Sequence, residues 1–307
     1  MNIPALFEKM LVLFAILIAG FVCGKTGVMD QESNRAVSRL VAKLTNPMLV
    51  LSSVMTGERL MTNAQVLELT LIAAGCYVFL IGTSFLIPKL LRVPADKSGL
   101  YRFMYIFSNL GFIGYPVVKA LFGEGAMFHV TIFVLFFNVI CWSYGAQTIS
   151  GRSRFHFHWG ILKTPCVIAA LAAYVIYLTG LRVPAPVGDA CSMIGGLTSP
   201  LAMLIIGNSL AQYPLKPVFT NWRVYVLAAL KMLLSPVIAF FVLRSFVADE
   251  LLLGVTVMTF CMPVATNTTI LSYEYQADSQ TASAGVFLTT LLSVVSVPAM
   301  MMLLFGK

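Results

Sequence analysis

The sequence predicts an all-α polytopic membrane protein: ten transmembrane helices arranged as two inverted five-helix repeats, with helices four and nine broken in mid-membrane. Three observations lead there. Of the 307 residues, 59% are hydrophobic and 10% charged, with mean hydropathy +0.90, where a soluble domain carries about 25% charged residues. Apolar segments of the ~20 residues that a span needs follow one another with short loops between. Two of these segments are interrupted by prolines, glycines and amides, at a depth where non-helical backbone survives only if it is buried in protein or lines a cavity.

Taken in order, the spans fall at about 4–24, 34–55, 65–90, 100–121, 127–149, 163–180, 189–211, 223–245, 251–273 and 281–304. The first begins near Pro4, lacks a small-residue cleavage site and runs to Cys23, so it reads as a retained span rather than a signal peptide. Asn46-Pro47 kinks span two and Ser199-Pro200 kinks span seven. Span four is interrupted over Ser108-Asn109-Leu110-Gly111-Phe112-Ile113-Gly114-Tyr115-Pro116. Span eight carries Lys231 near its middle, and span nine breaks over Met262-Pro263-Val264-Ala265-Thr266-Asn267-Thr268-Thr269. Turn residues punctuate the connections, as in Gly27-Val28-Met29-Asp30, Pro94-Ala95-Asp96-Lys97, Gly151-Arg152-Ser153-Arg154 and Pro184-Ala185-Pro186.

Charge sets the orientation. Thirteen cations follow odd-numbered spans: Lys25, Arg35, Arg39, Lys43, Lys89, Arg92, Lys97, Arg102, Arg152, Arg154, Lys163, Lys216 and Arg223. Six lie on the other side: Lys9, Arg59, Lys119, Arg182, Arg244 and Lys307. The positive-inside rule puts the first group in the cytoplasm and both termini outside. The net charge of +8 thus reads as cytoplasmic-loop cations rather than a nucleic-acid surface. The six cysteines, Cys23, Cys76, Cys141, Cys166, Cys191 and Cys261, form no CxxC pair and read as small core residues.

A shift of 153 residues aligns the halves. It brings Thr26-Gly27 onto Thr179-Gly180, Leu44-Thr45-Asn46-Pro47 onto Leu197-Thr198-Ser199-Pro200, Ala95-Asp96 onto Ala248-Asp249 and Phe107 onto Phe260. The last match lays Asn109–Pro116 over Met262–Thr269. Five spans per half is odd, so the second repeat, 156–307, is inverted relative to the first, 1–155.

Thr45-Asn46-Pro47, the break from Asn109 through Gly111-Phe112-Ile113-Gly114-Tyr115-Pro116, and Pro263-Val264-Ala265-Thr266-Asn267 running into Tyr273-Glu274-Tyr275 resemble the auxin efflux carrier family of plant auxin exporters and bacterial malate- or malonate-type permeases. The resemblance spans the chain, without the large cytoplasmic loop of long plant members. It implies a fold similar to that of bile acid–sodium symporters, with broken helices four and nine crossing at the site. It also implies a scaffold of spans one, two, six and seven, a moving transport domain of the other six, an elevator-like motion, a homodimer through the scaffold and a bacterial inner membrane.

Half-helix N-termini at such breaks each carry about half a positive charge and free N–H groups, and so favour an anion such as a carboxylate. Asn109, Asn267, Thr266 and Thr268 can hydrogen-bond a ligand there, and Gly111 and Gly114 let backbone approach it. Tyr115, Pro116 and Pro263 belong to the same two breaks. The plainer alternative is that these polar groups only satisfy carbonyls freed by the kinks. Asn46, Ser52 and Ser53 either line the substrate path or serve helix packing. Lys231 either stabilises the carbonyl ends of the broken helices, which favours a carrier that needs no sodium, or snorkels toward Arg223. Asn138 and Asn208 read as helix glue, Glu274 and Asp278 as solvated loop acids, with a proton carrier the alternative for Glu274, His129 as structural, and Phe155-His156-Phe157-His158-Trp159 as an interfacial aromatic belt rather than a metal site.

The functional expectation is a secondary carrier of a small organic anion, with no cofactor, no metal, no enzymatic activity and no nucleic-acid partner. There is no GxxxxGK[ST], hence no ATP-driven pump. A sodium-coupled symporter, a channel and a ligand-binding membrane receptor that moves nothing are the alternatives.

Overall fold

The computed structural model describes residues 3–55, 61–151, 163–181, 183–212 and 220–306. Arg59, Arg152, Arg154, Arg182, Lys216, Lys307 and the aromatic stretch 155–159 lie outside the described residues.

Helices account for nearly all of the described chain. They are α1 (Ile3–Lys25), α2 (31–55), α3 (Asn63–Leu90), α4 (Ser98–Ile106), α5 (Leu110–Phe122), α6 (Glu124–Ser150), α7 (Pro165–Thr179), α8 (Ala185–Ala211), α9 (Trp222–Leu243), α10 (Glu250–Cys261), α11 (Asn267–Glu274) and α12 (Ser279–Phe305). Six stretches among them, Phe7–Lys25 and all of α3, α6, α8, α9 and α12, are long and apolar enough to cross a membrane; α5, α7 and α10 are apolar but shorter. The chain is a multi-pass helical membrane protein.

Proline accompanies most cases of an irregularity that recurs. Among the described residues five-residue π turns occur at Val41–Thr45, Leu110–Gly114, Cys141–Gly145 and Leu230–Leu234; the first, second and fourth are followed, after one more residue, by Pro47, Pro116 and Pro236. The residue four before each proline, Lys43, Phe112 or Met232, is the middle of its turn. A proline ring cannot donate to that carbonyl and presses against it. The helix widens by one residue there and goes on.

This corrects one expectation. The sequence reads as broken from Ser108 to Pro116, but the non-helical segment is only Phe107–Asn109. Leu110–Gly114 is the π turn, and Tyr115–Phe122 is α-helix with proline in its first turn, where the missing N–H costs least. Gly111, Gly114, Tyr115 and Pro116 therefore stand in helix. The second break spans Met262–Thr266, so Asn267 and Thr268 open α11.

The chain forms two compact units, each drawing on both halves of the sequence. The first contains α1, α2, the start of α3, α5 from Gly111 on, α6 up to Val139, α7 and α8. Here α1 lies backbone to backbone on α8. A methyl group on Gly20 would collide with Leu204, and one on Gly207 with the carbonyl of Leu17. Small residues at such positions let membrane helices approach closely. Gly195 sits against the Leu49 backbone in the same way, and Thr198 Oγ1 donates to Thr45 Oγ1 at 3.0 Å across 153 residues. Tyr177 accepts the Met61 N–H at 2.8 Å and stacks on Phe128 with ring centres 3.8 Å apart.

The second unit contains the rest of α3, α4, the later part of α6 and α9 to α12. Gly99 brings α4 onto the Thr148 carbonyl of α6, and Gly145 receives the rings of Phe103 and Phe107. Asp249 and Asp278 cap α10 and α12, accepting N–H bonds from Leu251 and Leu252 and from Thr281.

Candidate functional site

The two breaks meet inside the second unit. Ser108 and Val264 face one another as an isolated antiparallel bridge. Asn109 N donates to Pro263 O at 2.8 Å, and Ala265 N donates to Phe107 O at 3.0 Å. A third donor is met from the side: Val264 N bonds Thr289 Oγ1 of α12 at 3.0 Å, and that hydroxyl passes its own proton to Gly285 O at 2.7 Å. Each chain thereby supplies the partners the other lost on leaving the helix, which is what irregular backbone at membrane depth requires.

Two half-helices, α4 and α10, end at this crossing, and α11 starts from it. The exposed carbonyls at the end of α4 carry about half a negative charge. Lys231, the tenth of the 22 residues of α9, points there. Its Nζ donates to Tyr105 O at 2.8 Å and to Ser108 Oγ at 3.0 Å. The residue is 2% exposed, so its side chain is buried rather than snorkelled. The π turn that contains Lys231 loosens its own carbonyl, which accepts the Ser235 hydroxyl at 2.5 Å.

Around the crossing lie polar groups that no protein atom satisfies. Asn109 is 3% exposed, and its Nδ2 has no hydrogen-bond partner. The hydroxyls of Thr266 and Thr268 are likewise buried and unpartnered. Asn267 Nδ2 reaches only the Cys141 sulfur, at 3.8 Å. An unmet donor in a buried site costs about 1–3 kcal/mol, and Asn109, Thr266 and Thr268 each offer one to a bound group.

Of the other residues that the sequence points to, all but Glu274 belong to the first unit. Asn46 is buried with its Oδ1 unpartnered, and a methyl on Gly111 would stand 3.5 Å from Asn46 Nδ2. Ser53, Thr131 and Tyr115 form one hydroxyl chain, with Ser53 Oγ to Thr131 Oγ1 at 2.9 Å and Tyr115 OH to Thr131 Oγ1 at 2.8 Å. Ser52 donates back to Leu49 O of its own helix. Pro116 is buried, Asn138 bonds Val134 O one turn back, and Glu274 is exposed. Sequence reasoning did not select Tyr105, Ser108, Thr131 or Thr289.

Two apolar segments that break in mid-segment and pair where they break point to a membrane transporter. Comparison with known proteins agrees. A family model described as "Membrane transport protein" matches residues 5–157 and 153–301. The chain belongs to this family. It is the auxin efflux carrier family that the Asn-Pro and Pro-Val-Ala-Thr-Asn motifs resemble. Its relatives include an "Uncharacterized transporter" of Methanothermobacter thermautotrophicus, 26% identical over 95% of this chain and 96% of the relative. A "Putative malonate transporter" of Rhizobium meliloti is 23% identical over 80% and 81%. The "Uncharacterized transporter YfdV" of Escherichia coli K12 is 22% identical over 94% of each. The crossing, where the two breaks pair, is the candidate site.

Proposed function

We propose that this family member is a secondary transporter of small organic anions, carboxylates of the malonate, malate or auxin type, with the substrate held at the crossing of the broken helices. The observation that carries this reading is the buried, unpartnered amide of Asn109 at one break, with the unpartnered hydroxyls of Thr266 and Thr268 at the other. A carboxylate is the complementary group: it accepts from an amide and two hydroxyls, and it is drawn to the N–H end of α11. The name of the Rhizobium meliloti relative supports the class.

On this reading the chain makes ten passes in two inverted repeats. Spans one, two, six and seven form a scaffold, which also pairs two copies, and the remaining spans move by an elevator-type alternating-access motion. The protein resides in a bacterial inner membrane with both termini outside.

The test is thermal stability of the purified protein against malonate, malate and indole-3-acetate, in wild type and Asn109→Ala. A ligand that binds only the folded state adds about 2.7 kcal/mol at a hundredfold excess over Kd. The expected result is protection of wild type by one carboxylate and loss of that protection in Asn109→Ala. Counterflow of the same carboxylate in proteoliposomes then separates a carrier from a receptor, which would bind and move nothing. Absence of protection by any carboxylate overturns the reading.

A further inference from the structure

We infer that the second unit holds one anionic phospholipid, with the phosphate on the guanidinium of Arg102 and an acyl chain along the open face of α3.

Arg102 is the fifth residue of α4 and is half-buried. Its Nε donates to Ser84 Oγ of α3 at 3.4 Å and its Nη2 to Tyr144 OH of α6. Its Cζ stands 3.7 Å from the centre of the Phe85 ring, close enough for a cation–π contact. A guanidinium carries about five N–H donors, and these two bonds leave the others without a protein acceptor among the described residues. No carboxylate meets them: the ion pairs among the described residues are Lys97 with Asp278 and Lys119 with Glu124. Ring, serine and tyrosine fix the plane of the guanidinium, and a fixed fork of this kind matches phosphate bidentately. Tyr144 comes from Cys141–Gly145, the π turn with no proline behind it, and π turns often mark functional sites.

The face beside Arg102 selects a lipid over a free anion. Gly75, Val78, Gly82, Phe85 and Lys89 follow one another along α3 at alternating spacings of three and four residues, and all are exposed. Such spacing puts them on one side of the helix. Val78 is 70% exposed and Phe85 51%. A methyl on Gly75 or Gly82 would meet nothing within 4 Å, so the stripe has two gaps where an acyl chain can lie against the backbone. The stripe ends on the ammonium of Lys89, and Phe85 joins it to Arg102. Arg102 lies about 6 Å inside the head of α4, at 1.5 Å per residue, the depth of a headgroup rather than of the bilayer centre. A phospholipid uses both parts: its phosphate takes the fork, and its chain covers Val78 and the glycines. A zwitterionic headgroup would bring an ammonium of its own beside Arg102 and Lys89, so an anionic one is preferred. Basic pockets between membrane helices bind anionic headgroups in this way. The inference needs only that the chain spans a membrane and stands whatever the protein moves.

The test is native mass spectrometry of the protein purified in detergent and offered equal amounts of phosphatidylglycerol and phosphatidylethanolamine. Wild type is compared with Arg102→Ala, Gly82→Leu and Lys43→Ala. Wild type is expected to retain one phosphatidylglycerol in preference to phosphatidylethanolamine. Arg102→Ala is expected to hold it about tenfold more weakly, the worth of one charge-assisted contact. Gly82→Leu leaves the contacts of Arg102 in place and adds a side chain in open space. It is expected to melt with wild type and to lose the lipid because the gap is filled. Lys43→Ala removes an exposed cation of the first unit and is expected to change nothing. Equal retention of the two lipids by wild type would overturn the proposal, as would undiminished phosphatidylglycerol in Arg102→Ala or in Gly82→Leu. An equal loss in Lys43→Ala would make the effect one of diffuse surface charge and overturn it too. Inorganic phosphate in excess is expected to leave the lipid bound; displacement would make this a site for a free anion instead. If Arg102→Ala cannot be purified, Gly82→Leu still decides.

Discussion

Asp278 does two things at one position. Its carboxylate caps α12 by accepting from Thr281 N at 2.9 Å and Thr281 Oγ1 at 2.8 Å, and it pairs with Lys97 Nζ at 2.6 Å. Burial pulls its pKa up, but the Lys97 and Thr281 hydrogen bonds outweigh that and hold it below the usual 3.8. The bond to Asp278 raises Lys97 above its usual 10.5 against the pull of burial. The depressed acid contributes stability that is full above the unfolded pKa of 3.8 and is lost as pH falls through the folded value. The raised base contributes below 10.5 and loses its part as pH rises through its own folded value. Asp278→Ala is expected to cost about 1 kcal/mol for the cap and about 0.2–1 more for the half-exposed pair. The difference from wild type should shrink as pH drops below about 4, read as melting temperature across an acid series. A difference unchanged by acid would refute the role of the charge. At this scale the sequence displays some partners and hides others. Asn109 and Lys231 stand out because amides and ammoniums are rare in apolar segments. Tyr105 is invisible because its contribution is a backbone carbonyl, which every residue has. Thr289 is hidden because threonine is ordinary in membrane helices, where its hydroxyl bonds its own backbone.

That the chain is helical and crosses a membrane many times was legible; the bounds of its first break were not. Pro116 and Pro263 look alike in sequence, yet one sits inside the first turn of a helix and the other in extended backbone. The difference is what each proline's lost hydrogen bond costs: π widening absorbs it in α5, while Pro263 O is used by Asn109 N across the crossing. The residues that face each other there, Ser108 and Val264, are 264 − 108 = 156 apart, three more than the 153 of the Thr45–Thr198 bond. One alignment shift therefore could not place both breaks. Glycine seams were legible only as composition; Gly20 and Gly207 gain meaning because α1 and α8 touch through them. Gly207→Ala drives a methyl into the Leu17 carbonyl, which has nowhere to retreat, and is expected to cost about 1–3 kcal/mol. Gly196→Ala, in the same helix with open space around it, should be neutral or gain up to about 1 kcal/mol from helix propensity. Denaturation of both variants side by side distinguishes a packing seam from general intolerance of α8. Equal losses in the two would sink the seam.

At the scale of the whole molecule, contacts inside the second unit bear on which way the chain threads the membrane. Arg223 at the start of α9 donates from Nε to Leu91 O at 3.1 Å and from Nη2 to Arg92 O at 3.3 Å, tying the turn after α3 to the approach to α9. Lys97, two residues past Ala95 in that same turn, reaches Asp278 between α11 and α12. Gly99 at the head of α4 meets Thr148 at the tail of α6. On the ten-pass thread proposed above, these residues flank the connections after spans three, five, seven and nine, and all of them lie at one end of this unit, as that thread demands. The same end holds Lys89, Arg92, Lys97, Arg102 and Arg223, and the rule that cations stay in the cytoplasm gives that end its side. The prediction is that a reporter joined after Lys307 is outside: alkaline phosphatase fused there is active and green fluorescent protein is dark. The same reporters inserted after Ala277 should give the reverse, since that site lies one pass away on the cationic side. Fluorescence from the Lys307 fusion with phosphatase activity at Ala277 would invert the thread. The same signal at both sites would mean that α12 does not cross, and the inverted repeat would fall with it.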